Sequence, residues 1–331
     1  MEGHAEGSSS WHSSPSSSHI PVLLQEVVEW LAIRPDGVYV DATVGAGGHS
    51  RAILESLTTG RLIALDKDPA AIKIAQENLF PQRHKLTLIR EDFSNLFPVL
   101  RNLGRTVVDG IVADLGFSQM QIDSPERGFS LKAEGPLDMR MNPDQALTAE
   151  EIVNRYDERR LADLIYEFGE ERRSQRIARA IVRARPIRDT AQLARLVEAC
   201  LGGRRTASRP IGNRKKRIHP ATRFFQALRI AVNRELEMLE QLLHAAPSCL
   251  APGGRLVIIS FHSLEDRIVK HRFQEWNRQG VMRNLTRHVV RPSPEEARRN
   301  PRSRSARLRA AERLPQPPIP SQDFLPENEA L

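Results

Sequence analysis

Apolar residues along this chain follow two rhythms that take turns. Four short apolar runs bounded by polar residues, Val38–Asp41, Leu62–Leu65, Leu86–Ile89 and Val107–Ala113, read as buried strands. Around them lie stretches with helical periodicity: Leu23–Leu31, a segment carrying Ala52, Ile53 and Leu57 on one side, and Pro69–Leu79. Strands and helices alternating at this spacing predict an α/β fold with a doubly wound, mostly parallel sheet. The alternation stops near Asp123, and residues Thr148 to Leu201 read as helices. Thr148 and Glu151 have capping-box spacing, and Leu161, Leu164, Ile165 and Phe168 recur on one face. A further helix is predicted from Phe225 to Leu243, with Phe225, Leu228, Val232, Leu236, Leu239 and Leu243 on one stripe. The Pro-Gly-Gly turn in Leu250–Gly254 then leads into a strand over Arg255–Ser260. The expected organisation is a disordered tail (1–18), a sheet domain in two pieces (19–124 and 222–280), a helical insertion (125–221) of roughly 100 residues, and a basic C-terminal extension (281–331).

The turn after the first strand carries the chemistry. Gly45, Gly47 and Gly48 let the backbone bend tightly and approach a ligand, since no Cβ intervenes. Asp66 ends the second strand, where a carboxylate can accept both hydroxyls of a ribose. Dinucleotide sites share that geometry, but their last small residue is here Ser50. The run Asp41-x-x-x-Gly45-x-Gly47-Gly48 instead looks like the first motif of S-adenosylmethionine (SAM) methyltransferases, and the late Pro-Gly-Gly turn also stands against a dehydrogenase. A ligand-free glycine turn is the bland alternative, countered by the independent match at Asp66.

Composition narrows the partner. Among 331 residues, 49 Lys+Arg stand against 41 Asp+Glu, a formal charge of +8, and an anionic partner, above all nucleic acid, is expected. Arg204 to Arg217 holds seven basic residues, among them Arg214, Lys215, Lys216 and Arg217, with no acid between them. A second cluster comprises Arg298, Arg299, Arg302, Arg304, Arg307 and Arg309. Both read as phosphate contacts, with solvated loops as the alternative. Arg172, Arg173, Arg176, Arg179 and Arg183 read mainly as a solvated helix face, with a groove-lining role left open. Two cysteines, Cys200 and Cys249, argue for a reducing compartment without a bound metal. Residues 1–18 lack the features of a secretory or transit signal, and no long apolar run occurs, so a cytoplasmic protein is expected.

Several longer motifs agree on one family. His19–Leu24, Asp41–Ser50, Asp114-Leu-Gly116, Glu126–Ser130, Gly135–Met141, His219–Gln226, Ser260–Arg267 and Asn300–Ser305 resemble, in order, the bacterial MraW (RsmH) family. The resemblance implies a class I SAM-dependent methyltransferase, Rossmann-like, with a helical insertion. It implies methylation of N4 of cytosine 1402 in 16S rRNA of the small ribosomal subunit. It also implies that Gly47, Gly48 and His49 contact SAM, that Asp66 holds its ribose, that Phe93 packs on its adenine, and that Asp114 and Gln121 complete the pocket. The chain departs from the family at Phe117, Gln119 and Met120, which puts the shape of that loop in question. A homodimer is left open.

The residues themselves separate two chemistries. Methylation of cytosine C5 needs an activated thiol, and neither Cys200 nor Cys249 follows a strand end near the expected cofactor. Methylation of N4 needs only acceptors that take up the amine hydrogens and aim the nitrogen. Asp114 is the leading candidate for that role, with cofactor orientation as its alternative; Asp138 and His262 are secondary candidates. The Pro-Pro-aromatic tetrapeptide of DNA amino-methyltransferases is absent. The non-enzymatic alternative, an RNA-binding assembly factor on a dead cofactor fold, is weakened by the intact Asp41, Gly45, Gly47, Gly48, Asp66 and Asp114.

Overall fold

A computed structural model of the chain describes residues 21–131, 133–202 and 219–315. The first half runs α1 (Leu24–Leu31), β1 (Val38–Asp41), α2 (Gly48–Ser56), β2 (Arg61–Asp66), α3 (Pro69–Asn78), β3 (Leu86–Arg90), α4 (Leu96–Asn102), β4 (Val108–Asp114) and α5 (Gln119–Asp123). Five helices follow: α6 (Ala149–Arg155), α7 (Glu158–Gly169), α8 (Ser174–Ala184), α9 (Thr190–Cys200) and α10 (Thr222–Asn233). The chain then returns through α11 (Glu235–Cys249), β5 (Leu250–Ser260), α12 (Ser263–Gln279), β6 (Met282–Asn284), α13 (Pro294–Arg299) and β7 (Arg307–Arg313).

One seven-stranded sheet has the order β3-β2-β1-β4-β5-β7-β6, and β7 alone runs against its neighbours. In its centre Val40 stands level with Ile63 on one side and Ile111 on the other. Helices cover both faces, which is why these strands are near-continuous apolar runs. Val27, Leu31, Ile53, Leu54 and Ala75 from α1 to α3 pack on one face. Leu96, Leu100, Leu239, Leu243, Phe273 and Trp276 from α4, α11 and α12 pack on the other. The four strands read from apolar runs occur within one residue of their expected ends. No helix among the described residues is long and apolar enough to cross a membrane.

Three expectations need correction. The single helix expected over Phe225–Leu243 is two, broken at Arg234, whose φ is 51°. Buried Asn233 causes the break: its Oδ1 accepts from the Met141 N–H at 2.7 Å while its Nδ2 donates to the Met139 carbonyl at 2.8 Å. The apolar stripe is divided accordingly. Phe224, Phe225, Leu228 and Val232 of α10 join the core of the helical insertion, so the insertion continues past residue 221 to Asn233.

The second correction concerns the segment after residue 280, which supplies β6 and β7 to the sheet instead of extending from it. Arg309, counted with the basic cluster, is buried there, and its Nε donates to Asp266 at 2.8 Å. The third concerns the Pro-Gly-Gly turn, which is a bulge inside β5: Val108 faces Leu250, and Gly110 already faces Arg255. Gly253 takes a φ of 80°, and a Cβ on Gly254 would lie 2.8 Å from the Ala251 carbonyl oxygen.

Candidate active site

The carboxyl ends of β1, β2, β4 and β5 bring three acids, Asp41, Asp66 and Asp114, and Ser260 to one edge of the sheet, where ligands of doubly wound folds sit. Asp41 ends β1 and is 1% exposed. Its Oδ1 accepts from the Thr43 N–H at 3.1 Å and its Oδ2 from the Ser50 hydroxyl at 2.7 Å, so it ties both ends of the glycine turn. Burial pushes its pKa up, against the opposing pull of His49 and of these bonds. Gly45 and Gly47 have φ of 51° and 89°, in the left-handed region that favours glycine. Gly48 is fixed by crowding: a Cβ there would lie 2.5 Å from Pro21 Cγ.

Asp66 faces this turn from β2. Its Oδ2 accepts from the Gly45 N–H at 3.0 Å and its Oδ1 from the Asp68 N–H at 2.9 Å, which leaves each oxygen further accepting capacity. Burial raises its pKa to about 6, with the two backbone bonds opposing. Phe93, in the turn after β3, is half-buried against the sheet core.

Gln121 is a brace. Its Oε1 accepts from the Ser118 N–H at 2.9 Å and its Nε2 donates to Asp68 Oδ2 at 2.7 Å. Arg127 donates to the same Asp68 oxygen at 2.9 Å and to the carbonyls of Arg140 and Met141, linking the loop after β4 to the insertion. That loop is ordered by the Ser118–Gln121 capping box in spite of the unusual Phe117 and Met120.

Asp114 ends β4. Its Oδ1 is buried with no hydrogen-bond partner, and its Oδ2 lies 3.8 Å from His49 Nδ1. The Val22 carbonyl, 2.9 Å from His49 Nε2, can only accept, so Nε2 carries a hydrogen and Nδ1 is the atom turned to Asp114. Burial lifts the Asp114 pKa to about 7; His49 pulls it down, and Asp41 and Glu265 push it up. An unpaired buried acceptor is costly in a structural role, which marks Asp114 as a group that awaits a donor.

Beside it, at the end of β5, stands a second polar cluster. His262 caps α12, with Glu265 returning the bond in a capping box. Burial alone would raise Glu265; the His262 and Arg229 charges and the Phe261 N–H bond outweigh it and hold it low. Arg229 grips Glu235 with two bonds of 2.7 Å and lies over the Phe117 ring at 4.5 Å, which stacks on Phe129 with centroids 5.8 Å apart. Carboxylate and imidazole atoms of Glu235, His262 and Glu265 lie within 4.8 Å of one another, but the Arg229 guanidinium already occupies Glu235. Arg229, Glu235 and Glu265 escaped the sequence reading. A signal existed: Arg229 follows Phe225 by one helical turn on an otherwise apolar stripe.

Other candidates lie elsewhere. Both Asp138 oxygens are gripped by Arg140; burial pushes its pKa up, but the Arg140 bonds win and hold it low. Arg302 stands 3.9 Å from Asp123, and Arg304 donates to the Ala297 carbonyl at the surface. Arg214, Lys215, Lys216 and Arg217 lie outside the described residues. Cys200 sits in the insertion and Cys249 at the end of α11, where burial pushes its thiol up to about 12.

The glycine turn, the acceptors left on Asp66 and the orphaned Asp114 oxygen fit a nucleoside bearing a reactive group. Residues 16–314 match the model of the MraW methylase family. The chain is 52% identical over 307 residues to a protein of Koribacter versatilis named ribosomal RNA small subunit methyltransferase H, covering 89% of this chain and 94% of the relative. It is 51% identical over 303 residues to a protein of the same name from Acidobacterium capsulatum, covering 89% and 98%. Matches of that length and identity place the chain in the MraW methylase family, as a methyltransferase whose methyl donor is S-adenosylmethionine.

Proposed function

We propose that this protein methylates the exocyclic N4 of cytosine 1402 in 16S rRNA of the small ribosomal subunit, in the cytoplasm. The names of its relatives support the ribosomal substrate. The observation that carries the choice of atom is the buried, unpartnered Oδ1 of Asp114 at the edge of the glycine turn.

Bound SAM supplies an electrophilic methyl group. Asp66 is assigned to its ribose hydroxyls, the backbone of Gly47, Gly48 and His49 to the turn that lies against it, and Phe93 to the adenine face. Gln121 acts through Asp68, holding the loop after β4 in place.

Asp114 Oδ1 accepts a hydrogen of the cytosine amine and holds the nitrogen toward the methyl carbon. As the new N–C bond forms the methyl–sulfur bond would break to leave the neutral thioether, and the nitrogen must release a proton, which the Asp114 carboxylate, with a pKa near 7, is matched to take. His262 is assigned an auxiliary polar role. No thiol among the described residues is placed for addition to the cytosine ring. The helical insertion is assigned to RNA.

Mass spectrometry of nucleosides from small subunits treated with the protein and SAM tests this reading. N4-methylcytidine is the expected product; 5-methylcytidine, or no methylation with RNA bound, overturns it.

A further inference from the structure

Helix α8 buries Ile177, Ala178 and Ile181 in the core of the insertion. On its other side Arg176, Arg179 and Arg183 are exposed and recur at helical spacing. With Gln175, and with Ala199 and Cys200 of α9, they line an open groove of about 500 Å³. The α9 side of the groove is formed by the small side chains of Ala199 and Cys200 in its last turn.

The charge of this groove is largely uncompensated. Arg179 pairs with Glu158 at 3.2 Å, but both side chains are about half exposed, and such a pair holds by only about 0–1 kcal/mol. Arg176 and Arg183 have no ion pair with another described residue. Two guanidinium groups without an ion-pair partner and a third held only by an exposed pair suit phosphates, which they can bind through paired N–H donors.

The segment that leads into α8 is tied to the helix that follows β5. Glu170 caps α7 and accepts from Ser263 Oγ at 2.6 Å and from Arg267 at 2.7 Å, both in the opening of α12, the helix that His262 caps. Four residues later α8 starts, and Arg176 to Arg183 spans about 10 Å along it at 1.5 Å per residue. That length spans about three nucleotides of a stacked strand at roughly 3.4 Å each.

We propose that the groove between α8 and α9 is a track for consecutive phosphates of the ribosomal RNA strand flanking the target base. The inference rests on the reading of the chain as an rRNA methyltransferase. The test is the full-length protein with Arg176, Arg179 and Arg183 all changed to Gln, compared with a control carrying Arg101→Gln, Arg159→Gln and Arg278→Gln at exposed positions elsewhere. Binding to a 16S rRNA fragment containing the target cytosine is titrated at several salt concentrations. Each lost phosphate contact lowers the slope of log affinity against log salt by about 0.7–0.9, so the groove variant should lose about 2.

SAM binding by calorimetry should stay within twofold of the parent. An unchanged slope in a variant that melts like the parent, or an equal loss in the control, overturns the track. If the triple variant fails to fold, Arg176→Gln and Arg183→Gln alone should each lower the slope by about 0.7–0.9, and no change in either overturns it. A parent that binds the fragment but never methylates it refutes the functional reading instead, and the slopes still report on the track.

Discussion

Replacing Asp114 by Asn should abolish most methyl transfer and, at neutral and alkaline pH, make the protein more stable. The carboxylate has an unpaired buried oxygen, and its pKa stands at about 7 against an ordinary 3.8. At about 1.4 kcal/mol for each pH unit, ionising it in the folded protein costs about 4 kcal/mol. The side chain is 24% exposed, so water offsets part of this, and about 2–4 kcal/mol is expected. Because the folded pKa is raised, the folded protein keeps a proton that the unfolded chain has released between about pH 4 and 7. Stability from this group is therefore complete below 3.8 and is lost as pH rises through about 7. Asn carries no such loss. Urea unfolding at pH 5 and pH 8 should show the advantage of the variant widening by about 2 kcal/mol between them. Activity should fall by about 10²-fold or more at pH 8, because the Asn amide oxygen can still accept a hydrogen bond but cannot take up the amine proton. In the parent, activity should rise with pH through about 7, as the carboxylate becomes free to accept. A variant whose stability tracks the parent at both pH values would refute the buried charge, and one that keeps full activity would refute the catalytic role.

Asp66→Ala should weaken SAM binding by about ten- to a hundredfold, or roughly 1.5–3 kcal/mol, without unfolding the protein; calorimetry that shows equal affinity removes Asp66 from the cofactor site. Its pKa of about 6 adds a second expectation, since the ribose needs the carboxylate as acceptor: SAM affinity of the parent should decline as pH falls through 6. Changing Cys200 and Cys249 together to Ala should leave methyl transfer within about threefold of the parent, because burial raises the Cys200 thiol and holds the Cys249 thiol near 12, which disfavours the nucleophilic thiolate at neutral pH. Activity lost in a folded double variant would reopen covalent catalysis.

What could be read in the sequence was local. Asp66 and Asp114 end apolar runs, so the period of the pattern alone brings them to the same edge of the sheet. The Arg229, Glu235 and Glu265 cluster could not be read that way, because its members come from α10, α11 and α12 and meet only when the insertion docks on the sheet. β7 was hidden by its own composition. Arg307-Leu-Arg-Ala-Ala-Glu-Arg313 looks like a charged tail until Arg309 finds Asp266 and Arg313 finds the Val281 carbonyl, both long-range partners. The break at Arg234 was equally invisible, since an unbroken apolar stripe cannot announce that its two halves face different cores.

The position of β7 between β5 and β6 makes completion of the fold a matter of chain length. Leu256 to Ile259 of β5 are fully buried strand residues whose outer edge is covered only by Leu308 to Ala311, and the Leu23 N–H donates to Glu296 across 273 positions of sequence. A chain cut short before residue 307 therefore presents a bare apolar edge, the kind of surface that templates aggregation or recruits a protease. Contacts this distant in sequence also form late in folding. Closure of the sheet thus waits for the last described strand, and a product that ends before it cannot seal that edge.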